Sequence, residues 1–440
     1  MIKVCKFGGT SMADAKAIAK AKEIVLSDSD RRYVIVSAPG KRFKEDIKIT
    51  DMLYRCYNEV LECGTCKKSF AIIRERFIEI VKDLGISLDI NSILDETEKA
   101  IDQNKSADFA ASRGEYLSAR VVASYFGFEF VDAADMIRFD RHGKLNDDYT
   151  DDKVVSRLAN VTNAVIPGFY GKNFQGEIKT FSRGGSDITG SIIARGVKAD
   201  LYENWTDVSG FLVCDPRIVP EAKVIKQITY KEVRELSYMG ASVLHAEAIS
   251  PVMKRRIPIN IKNTFKPEDK GTMIVPNDQY KAEESDSIIT GIAGKKNFTV
   301  LLIEKSMMNA EVGFIRKVLS VVEHYGICVE HLPSGIDTLS IILESEQLKD
   351  GVLSELVNEI RENVNPDYVH VIENISLIAT VGHGMAMRSG TAATLFNALA
   401  KENINIRMID QGSSELNIII GVSNADYEKC IRAIYKAFIN

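Results

Sequence analysis

The stretch Lys6-Phe-Gly-Gly-Thr-Ser11 decides the fold of the first part of the chain. Residues 2–6 before it predict a short strand, the glycines predict a tight turn, and the periodic apolar pattern of residues 15–26 predicts a helix. Ser11 and Asp14 fit a capping box in front of that helix. Residues 33–37 predict a second strand. This βαβ opening favours an α/β domain with a mainly parallel sheet.

The same alternation continues further along the chain. Residues 51–124 are mostly helical in pattern, strands are predicted at 163–167, 201–205 and 257–262, and helices at 187–195 and 231–239. Thr229 and Glu232 fit a second capping box, and Gly240 lies where that helix is expected to end. The polar segment 266–287, with Pro267 and Pro276, predicts a domain boundary.

The C-terminal part contains an internal repeat. Residues 313–343 and 390–420 align without a gap at an offset of 77, pairing Gly335 with Gly412 and Leu339 with Leu416. Each copy has the pattern of a helix, a short turn, a strand, a glycine turn and a strand. This predicts a compact α/β sandwich used twice, with a shared face suited to a small effector or another subunit.

Composition excludes several classes of protein. The chain has 440 residues, 45% of them hydrophobic, and 56 Lys plus Arg against 61 Asp plus Glu, a net charge of -5. That balance is typical of a globular protein and argues against a nucleic-acid binder. We find neither a signal peptide nor an apolar run of membrane-spanning length, so we expect a cytoplasmic protein without membrane contact.

Seven cysteines, an odd number, do not form the pattern of a disulfide framework, so reduced thiols are expected. Cys63-Gly-Thr-Cys66 is a single CxxC without a second pair to complete a zinc site. A structural role is favoured for it over a redox or metal role, and its reactivity stays open.

Two glycine turns carry candidate chemistry. Lys6 with Gly8 and Gly9 is suited to phosphate oxygens, although a purely structural tight turn fits the same pattern. In Arg183-Gly-Gly-Ser-Asp187 the arginine is suited to a carboxylate and the aspartate to magnesium or an ammonium group. The alternative there is a helix N-cap with an exposed arginine.

Trp205-Thr-Asp207 follows a predicted strand, and Asp215-Pro-Arg217 lies shortly beyond it. Ligand loops of open α/β sheets lie at the carboxyl ends of strands, so Thr206, Asp207 and Arg217 are candidates for nucleotide contacts. Glu115 alone is a weak signal, and His245 is more typical of a buried hydrogen-bonding residue.

These motifs, together with Gly114-Glu115, Gly168-Phe169 and Val243-Leu-His245, occur in the order found in aspartate kinases, and the chain resembles that family over essentially its whole length. The resemblance implies an amino-acid-kinase (carbamate-kinase-like) αβα sandwich and two ferredoxin-like ACT domains. It implies transfer of the ATP γ-phosphoryl group to the β-carboxylate of L-aspartate, giving 4-phospho-L-aspartate, the first step of lysine, threonine and methionine biosynthesis.

The resemblance also assigns residues. The catalytic residues it implies are Lys6, Arg183 and Asp187. The ATP-binding residues it implies are Lys6, Phe7, Gly8, Gly9, Thr206, Asp207, Leu212, Arg217, Ser242 and Val243. The aspartate-binding residues it implies are Ser37, Thr50, Glu115, Phe169, Arg183, Gly184, Gly185, Ser186 and Asp187. Magnesium is expected to arrive with ATP, without a dedicated protein site.

Three positions depart from the family pattern. Ser242 stands where a lysine is often found, and Leu212 where a tyrosine is often found, which changes the expected ATP contacts. The loop 39–49 is longer than in many members, which makes the assignment of Thr50 weaker than that of Arg183.

For the C-terminal half, the resemblance implies residues 1–285 as the kinase domain, 297–373 as an inserted first ACT domain, and 286–296 with 374–440 as the second. The implied effector residues are Met308, Gly313, Val329, Ser334, Gly335 and Asp337, for which ordinary turn and core roles are the alternative. Lysine, threonine or both are the expected inhibitors, and a homodimer or homotetramer through the ACT domains is expected.

Two other functions fit part of this pattern. A kinase acting on glutamate, acetylglutamate or UMP is disfavoured by the Trp205-Thr-Asp207 motif with tandem ACT domains. A non-catalytic amino-acid sensor is disfavoured by the retained charged set of Lys6, Glu115, Arg183 and Asp187. A fusion to homoserine dehydrogenase is not expected at this chain length, so a monofunctional enzyme is the leading hypothesis.

Overall fold

A computed structural model describes residues 1–104, 106–182, 184–241, 244, 246–281 and 288–439. The chain divides into two compact units. The first comprises Met1–Phe211, Val224–Val233 and Ser242–Lys281. The second comprises Leu212–Lys223, Arg234–Ala241 and Ala282–Asn440. Two short segments of the N-terminal part of the sequence therefore group with the C-terminal unit.

The first unit is built on strands and helices in alternation. Its strands are β1 (Lys3–Phe7), β2 (Arg31–Val36), β3 (Glu129–Phe130), β4 (Arg138–Phe139), β5 (Ala164–Pro167), β6 (Tyr170–Asn173), β7 (Ile178–Thr180), β8 (Leu201–Thr206), β9 (Gln227–Thr229), β10 (Ile259–Asn263) and β11 (Thr272–Val275). The helices that begin in it are α1 (Ala15–Leu26), α2 (Ile49–Cys63), α3 (Lys67–Leu84), α4 (Ile90–Asn104), α5 (Ala107–Phe126), α6 (Asp147–Leu158), α7 (Gly185–Gly196), α8 (Tyr230–Tyr238) and α9 (Ile249–Arg255).

Eight of these strands form one sheet in the order β3-β5-β2-β1-β8-β10-β11-β9. Strands β1, β2, β3, β5, β8 and β10 pair in parallel, while β10 and β11 pair antiparallel. The predicted α/β class with a mainly parallel sheet is confirmed. A smaller sheet has the order β4-β6-β7, and its strands were not predicted because they are short and partly polar.

The start of α1 differs from the prediction. The N-cap is Asp14, whose carboxylate accepts a hydrogen bond from the backbone N–H of Ala17 at 2.9 Å. Ser11 lies in a short 3-10 turn and its hydroxyl pairs with that of Thr264 at 2.7 Å. The capping box assigned to Ser11 is therefore wrong, because a partner 253 residues away in sequence engages this hydroxyl.

The second capping box is confirmed. The Glu232 carboxylate accepts hydrogen bonds from the backbone N–H and the hydroxyl of Thr229, at 2.8 and 2.7 Å, and the Glu232 N–H donates back to that hydroxyl. Gly240, at φ 102°, follows the end of α8 as predicted. The capping box and the C-terminal glycine both depend on residues close in sequence, which is why the pattern alone predicts them.

Among the described residues, the second unit has one antiparallel sheet, and four helices lie wholly within it. Its strands are β12 (Gly291–Glu304), β13 (Thr338–Glu344), β14 (Tyr368–Val381), β15 (Met408–Asp410) and β16 (Asn417–Ser423), in the order β13-β12-β14-β16-β15. Its helices are α10 (Phe314–His324), α11 (Val352–Val364), α12 (Thr391–Lys401) and α13 (Tyr427–Ile439). Helices α10 and α12 begin and end exactly one repeat length apart, which confirms the helical part of the repeat.

The long strands β12 and β14 run through both copies of the repeat. Their register shifts where β12 passes Asn297, which has φ 69°, and β14 carries Asn374 at φ 60°. Residues 298–304 of β12 also pair with β13, whereas residues 375–381 of β14 also pair with β16. One pair of strands thus supplies the centre of both sandwiches. Within the described ranges, none of the helices combines the length and apolar character of a membrane span.

We predict that Thr229→Ala lowers the stability of the first unit by about 1 kcal/mol, since it removes the hydroxyl of the capping box. Thr229→Ser, which keeps the hydroxyl, is the matched control and should unfold as the parent does. Thermal unfolding of the purified chain measures both. Equal midpoints for the alanine and serine variants would contradict the capping role.

Candidate active site

The candidate site residues of the first unit follow the carboxyl ends of neighbouring parallel strands. Phe7 of β1 lies in register with Val36 of β2 and Trp205 of β8, and Val36 with Pro167 of β5. The residues directly after these four are placed side by side for that reason. They are Gly8, Ser37, Gly168 and Thr206. The sheet alone therefore gathers four segments that are far apart in sequence.

A buried ion pair lies at the centre of this edge. The Lys6 Nζ is 2.5 Å from Oδ1 of Asp187, in the first turn of α7, and both side chains are largely buried. Asn204 lies opposite Lys6 in the parallel register of β1 and β8. Its amide nitrogen donates to the same Asp187 oxygen at 2.9 Å, and its amide oxygen lies 3.5 Å from Lys6 Nζ. The three side chains hold one another in place.

The turn after β1 presents backbone to this ion pair. The N–H of Gly8 donates to the Trp205 carbonyl at 3.0 Å, and a Cβ at Gly8 would lie 3.5 Å from Lys6 Nζ. The Gly9 carbonyl accepts from the N–H of Gly40 at 2.8 Å, and a Cβ at Gly40 would lie 2.7 Å from Gly9. The two loops pack backbone against backbone, which only glycine permits.

Asp207, after β8, lies beside that turn. Its carboxylate accepts hydrogen bonds from the hydroxyls of Thr10 at 3.2 Å and of Thr206 at 3.3 Å. The start of the turn is thereby tied to the carboxyl end of β8. Hydroxyl and carboxylate oxygens thus line the surface at the turn that follows Lys6.

The start of α7 is fitted closely to the loop after β5. Gly184 caps the helix at φ 61°, and a Cβ on Gly185 would lie 2.5 Å from the Phe169 ring. Phe169 itself has φ 79°, and its N–H donates to the Thr189 hydroxyl at 3.0 Å. A Cβ on Gly168 would lie 2.6 Å from the Ser186 hydroxyl. The glycines of both motifs are thus required for close approach.

Glu115, on α5, is a buried carboxyl group. It is 5% exposed, and its Oε2 has no hydrogen-bond partner among the described residues. Burial raises the pKa of this carboxyl to about 8, and a hydrogen bond from the backbone N–H of Ala38 opposes the rise. This raised pKa favours the protonated form of Glu115 at neutral pH. A cationic group placed beside it would ionise it.

The loop before α2, whose first turn carries Thr50, is held by an arginine. Arg76 is 5% exposed and donates to the carbonyls of Ala13 at 2.8 Å and Gly40 at 2.7 Å. It also binds the Asp46 carboxylate at 2.8 Å, and the bonds from Arg42 and Arg76 hold the pKa of Asp46 well below its usual range. Arg76 thereby joins α3, the loop after β2 and the start of α1.

Other predicted residues lie elsewhere. Leu212 and Arg217 belong to the Leu212–Lys223 segment of the second unit, where the Arg217 guanidinium, 88% exposed, pairs with Asp215 at 2.6 Å. Arg183, Ser242, Val243 and His245 fall outside the described residues. The predicted sites at these positions stay predictions.

Sequence reasoning missed Asn204, Arg76 and Thr189. Asn204 is the residue before Trp205, so its position on the strand beside Lys6 was a signal that could have been used. Arg76 lies in a helix whose charged residues mostly face solvent, and nothing local marks it as buried. The Thr189 hydroxyl accepts from the N–H of Phe169 and donates to the Gly185 carbonyl, and neither contact is marked by a motif in the sequence.

The two cysteines of the CxxC motif differ in their exposure to solvent. Cys63 is exposed and Cys66 is buried, where a contact with Cys56 and burial raise the pKa of its thiol. Across the residues that the structure describes, His, Cys, Asp and Glu form no group of three or more suited to a metal ion. The reactivity of these thiols stays untested.

In the second unit five of the six predicted effector residues lie on two adjacent turns, whereas Val329 lies in the segment between α10 and β13 and packs against the core. The Asp337 carboxylate accepts from the N–H of Met307 at 2.9 Å, and the N–H of Asn309 donates to the Ile336 carbonyl at 3.2 Å. Gly313, at φ 79°, caps α10 at the end of the first turn. The second turn carries Ser334 and Gly335, so residues from both ends of the copy lie together.

We predict that Glu115 makes stability depend on pH. Its pKa is about 8 in the folded chain against 4.5 when exposed, so the free energy of unfolding falls as pH rises between these values, because the unfolded chain gains more from ionising. The slope reaches at most about 1.4 kcal/mol per pH unit. Glu115→Gln removes this dependence.

The measurement is the thermal midpoint of wild type and Glu115→Gln from below pH 4.5 to above pH 8. The thermal midpoint of Glu115→Gln should increase relative to that of wild type as pH rises. Glu96→Gln, at an exposed carboxyl of α4, is the matched control and should follow wild type throughout. Parallel curves for all three proteins would show that Glu115 is ionised in the folded chain.

Comparisons with known proteins agree with this architecture. Residues 1–263 match the amino acid kinase family, and residues 378–438 match an ACT domain. Aspartokinase 3 of Bacillus subtilis is 38% identical over 99% of this chain and 98% of its own length. Both units of the structure therefore have counterparts in one known kind of enzyme.

Solved structures agree over the whole length. The crystal structure of the Clostridium acetobutylicum aspartate kinase has 52% identity and a TM-score of 0.91, covering 99% of both chains. That of Escherichia coli aspartokinase III in complex with lysine and aspartate has 26% identity and a TM-score of 0.74, covering 100% of both. With the glycine turns and the charged set of the first unit, these matches show that the chain belongs to the aspartate kinases of the amino-acid-kinase family.

Proposed function

We propose that the site transfers the γ-phosphoryl group of ATP to the β-carboxylate of L-aspartate, with the residues described above in the roles that follow. The observation that carries the assignment is the buried Lys6–Asp187 pair, at 2.5 Å, between two glycine turns. A lysine held in this way supplies a fixed positive charge where phosphate oxygens can approach through backbone that lacks side chains.

The chemistry needs little from the protein beyond position and charge. A carboxylate oxygen of aspartate forms a bond to the γ-phosphorus while the bond from that phosphorus to the bridging oxygen of ADP breaks. The electron pair leaves with ADP, giving 4-phospho-L-aspartate, and no proton moves. Both reactants are anions, so their repulsion is the main barrier that the site must lower.

Lys6 is proposed to neutralise the transferring group. Its ammonium contacts both the Asp187 carboxylate and the Asn204 amide oxygen. These two acceptors fix the position of Nζ before ATP arrives, so little reorganisation is needed on binding. Gly8 and Gly9 contribute backbone next to it, and Phe7, Thr206 and Asp207 complete the proposed nucleotide contacts in this unit.

Aspartate is proposed to bind on the side of α5 and α7. Arg183 would hold a carboxylate of the substrate, and the substrate ammonium would ionise and pair with Glu115. The remaining contacts that we propose are with Ser37, Thr50, Phe169, Gly184, Gly185, Ser186 and Asp187. The close packing of Gly168 and Gly185 keeps Phe169 and Ser186 in fixed positions.

Magnesium fits this site as a companion of ATP. The available donors are hard carboxylate and hydroxyl oxygens, of Asp187, Asp207, Thr10 and Thr206, which are suited to magnesium already bound by phosphates. When bound, the ion would screen the negative charge of the phosphates. Leu212, Arg217, Ser242 and Val243 are retained as proposed ATP contacts on the resemblance alone.

We predict that Lys6→Met lowers kcat by roughly a hundredfold to a thousandfold, because charge on the transferring group is no longer neutralised. Lys3→Met, at the opposite end of the same strand and paired with a half-buried Asp28, is the matched control and should stay active. ADP release is measured with Mg-ATP and aspartate, glutamate or UMP. Of these three acceptors, we expect only aspartate to support ADP release.

Removing Lys6 leaves Asp187 buried without its partner, so a loss of activity has to be separated from unfolding. The double variant Lys6→Met, Asp187→Asn removes both charges and is expected to fold and to remain inactive. Thermal unfolding checks the fold. Wild-type chain that binds aspartate calorimetrically but never releases ADP would instead be a sensor without catalysis.

For regulation, we propose inhibition by lysine, threonine or both at the two turns that carry Met308, Gly313, Ser334, Gly335 and Asp337, with Val329 of the segment before β13 as a further contact. The solved E. coli enzyme bound to lysine supports lysine as a candidate. We also propose the boundaries 1–285, 297–373, and 286–296 with 374–440, and assembly into a dimer or tetramer through the ACT domains.

We predict that lysine or threonine lowers the rate, and that Ser334→Ala raises the half-inhibitory concentration about tenfold, the effect of losing one good hydrogen bond to a charged ligand. Ser354→Ala, on α11, is the matched control and should leave inhibition unchanged. Initial rates of ADP release give both values. Rates that respond to neither amino acid, alone or together, would remove the effector assignment.

A further inference from the structure

The charges at the proposed active site of the first unit do not balance those of its substrates. The described side chains of this unit that are proposed to contact ATP or aspartate include one cation, Lys6, and the carboxyl groups of Glu115, Asp187 and Asp207. Asp187 already pairs with Lys6 at 2.5 Å. Arg183 is assigned to a substrate carboxylate. Because ATP and aspartate are both anions, a further cation near the transferring phosphoryl group would lower their repulsion.

The loop between β2 and α2, residues 37–48, is rich in cations. It contains Lys41, Arg42, Lys44 and Lys48. Arg42 forms ion pairs with Asp46 at 3.0 Å and with Glu79 at 3.1 Å. Lys41 is exposed, and among the described residues its ammonium has one partner, the backbone carbonyl of Lys44 at 3.2 Å. A neutral carbonyl binds an ammonium less strongly than an anion does, so Lys41 is available to an anionic ligand.

The base of this loop is fixed against the turn after β1. The N–H of Gly40 donates to the Gly9 carbonyl at 2.8 Å, and a Cβ at Gly40 would lie 2.7 Å from the Gly9 backbone. The N–H of Ile49 donates to the Pro39 carbonyl at 3.2 Å, which joins the two ends of the loop. Lys41 directly follows Gly40, so its Cα lies about 3.8 Å from the Cα of a residue in backbone contact with the proposed phosphate turn.

Arg76 holds the same loop from the side of α3. Its buried guanidinium donates to the Gly40 carbonyl at 2.7 Å and pairs with the Asp46 carboxylate at 2.8 Å. Residues 41–45 therefore lie between two positions that one guanidinium fixes. Lys41 is presented from a fixed backbone, which reduces the reorganisation that ligand binding requires.

The order of the sheet indicates which part of the substrates Lys41 faces. Strands β5, β2, β1 and β8 are consecutive neighbours. The proposed aspartate contacts Ser37 and Phe169 come after β2 and β5, whereas the proposed nucleotide contact Asp207 comes after β8. The transferring group is expected between them, at the turn after β1. The loop that carries Lys41 leaves β2, so it lies on the acceptor side of that turn.

We infer that Lys41 binds the γ-phosphoryl group of ATP from the acceptor side, while Lys6 binds it from the side of the sheet. This inference rests on the proposed function. When ATP binds, the Lys41 ammonium exchanges the Lys44 carbonyl for γ-phosphate oxygens. It forms no covalent bond and transfers no proton. The phosphoryl group passes from ADP to the aspartate carboxylate as described above, and the two lysines neutralise its oxygens during the transfer.

The first test is the rate of ADP release with Mg-ATP and aspartate. Lys41→Met should lower kcat roughly tenfold to a hundredfold, the effect of losing one hydrogen bond to a charged group. Lys41→Arg, which keeps the charge, should recover most of the lost rate. Lys44→Met makes the same change in charge further along the same loop, and this matched control should behave as wild type does. Unchanged thermal midpoints show that the variants fold.

The second test separates the γ-phosphate from the rest of the nucleotide. The affinities of the full-length chain for Mg-ADP and for the magnesium complex of the β,γ-imido analogue of ATP are measured calorimetrically. Lys41→Met should weaken binding of the analogue about tenfold and leave binding of ADP unchanged, because ADP has no γ-phosphate. Lys44→Met should leave both affinities unchanged.

The outcomes distinguish this inference from the proposed function. A wild-type chain that releases no ADP with aspartate would refute the proposed function itself. With an active wild type, three results would overturn the role of Lys41 alone. The first is a Lys41→Met variant with the kcat and the analogue affinity of wild type. The second is an equal loss in Lys41→Met and Lys44→Met, which would describe the charge of the whole loop. The third is an equal weakening of ADP and the analogue, which would place Lys41 on another phosphate.

Discussion

The buried contact between Lys6 and Asp187 is the interaction on which the first unit depends. Taking two charges out of water is costly, and breaking such a pair by removing one partner costs about 3–5 kcal/mol. The pair forms because β1 and β8 are parallel neighbours and α7 begins close to their carboxyl ends. The side-chain amide of Asn204 forms hydrogen bonds with both Lys6 and Asp187 and restricts the pair to one geometry.

A second buried network lies on the same two strands. Glu203, 3% exposed, accepts from the Arg31 guanidinium at 2.7 Å and from the Trp205 indole at 3.0 Å, and burial next to it raises the pKa of the Cys5 thiol. Successive residues of a strand point to opposite faces, so Glu203 and Asn204 serve different faces of β8. The Glu203 network connects strands of the sheet, whereas the Asn204 network lies at the proposed active site.

The two copies of the repeat in the second unit share a backbone fold but differ in the charge of their turns. Helices α10 and α12 have the same length and spacing, and both follow a glycine in the left-handed region. The residues in front of them carry opposite charges, Glu311 in the first copy and Arg388 in the second. Packing of the repeat thus depends on apolar positions, which leaves the turns free to differ.

Much of this protein follows from its sequence alone. The glycine turns, the helix α1, the second capping box and the repeat rest on residues near one another in the chain, where local geometry permits few alternatives. Contacts between distant segments could not be predicted in that way. Ser11 pairs with Thr264 instead of capping a helix, Arg76 joins three segments, and burial raises the pKa of Glu115. Burial and the register of parallel strands, which only the tertiary structure decides, turn these ordinary residues into a site.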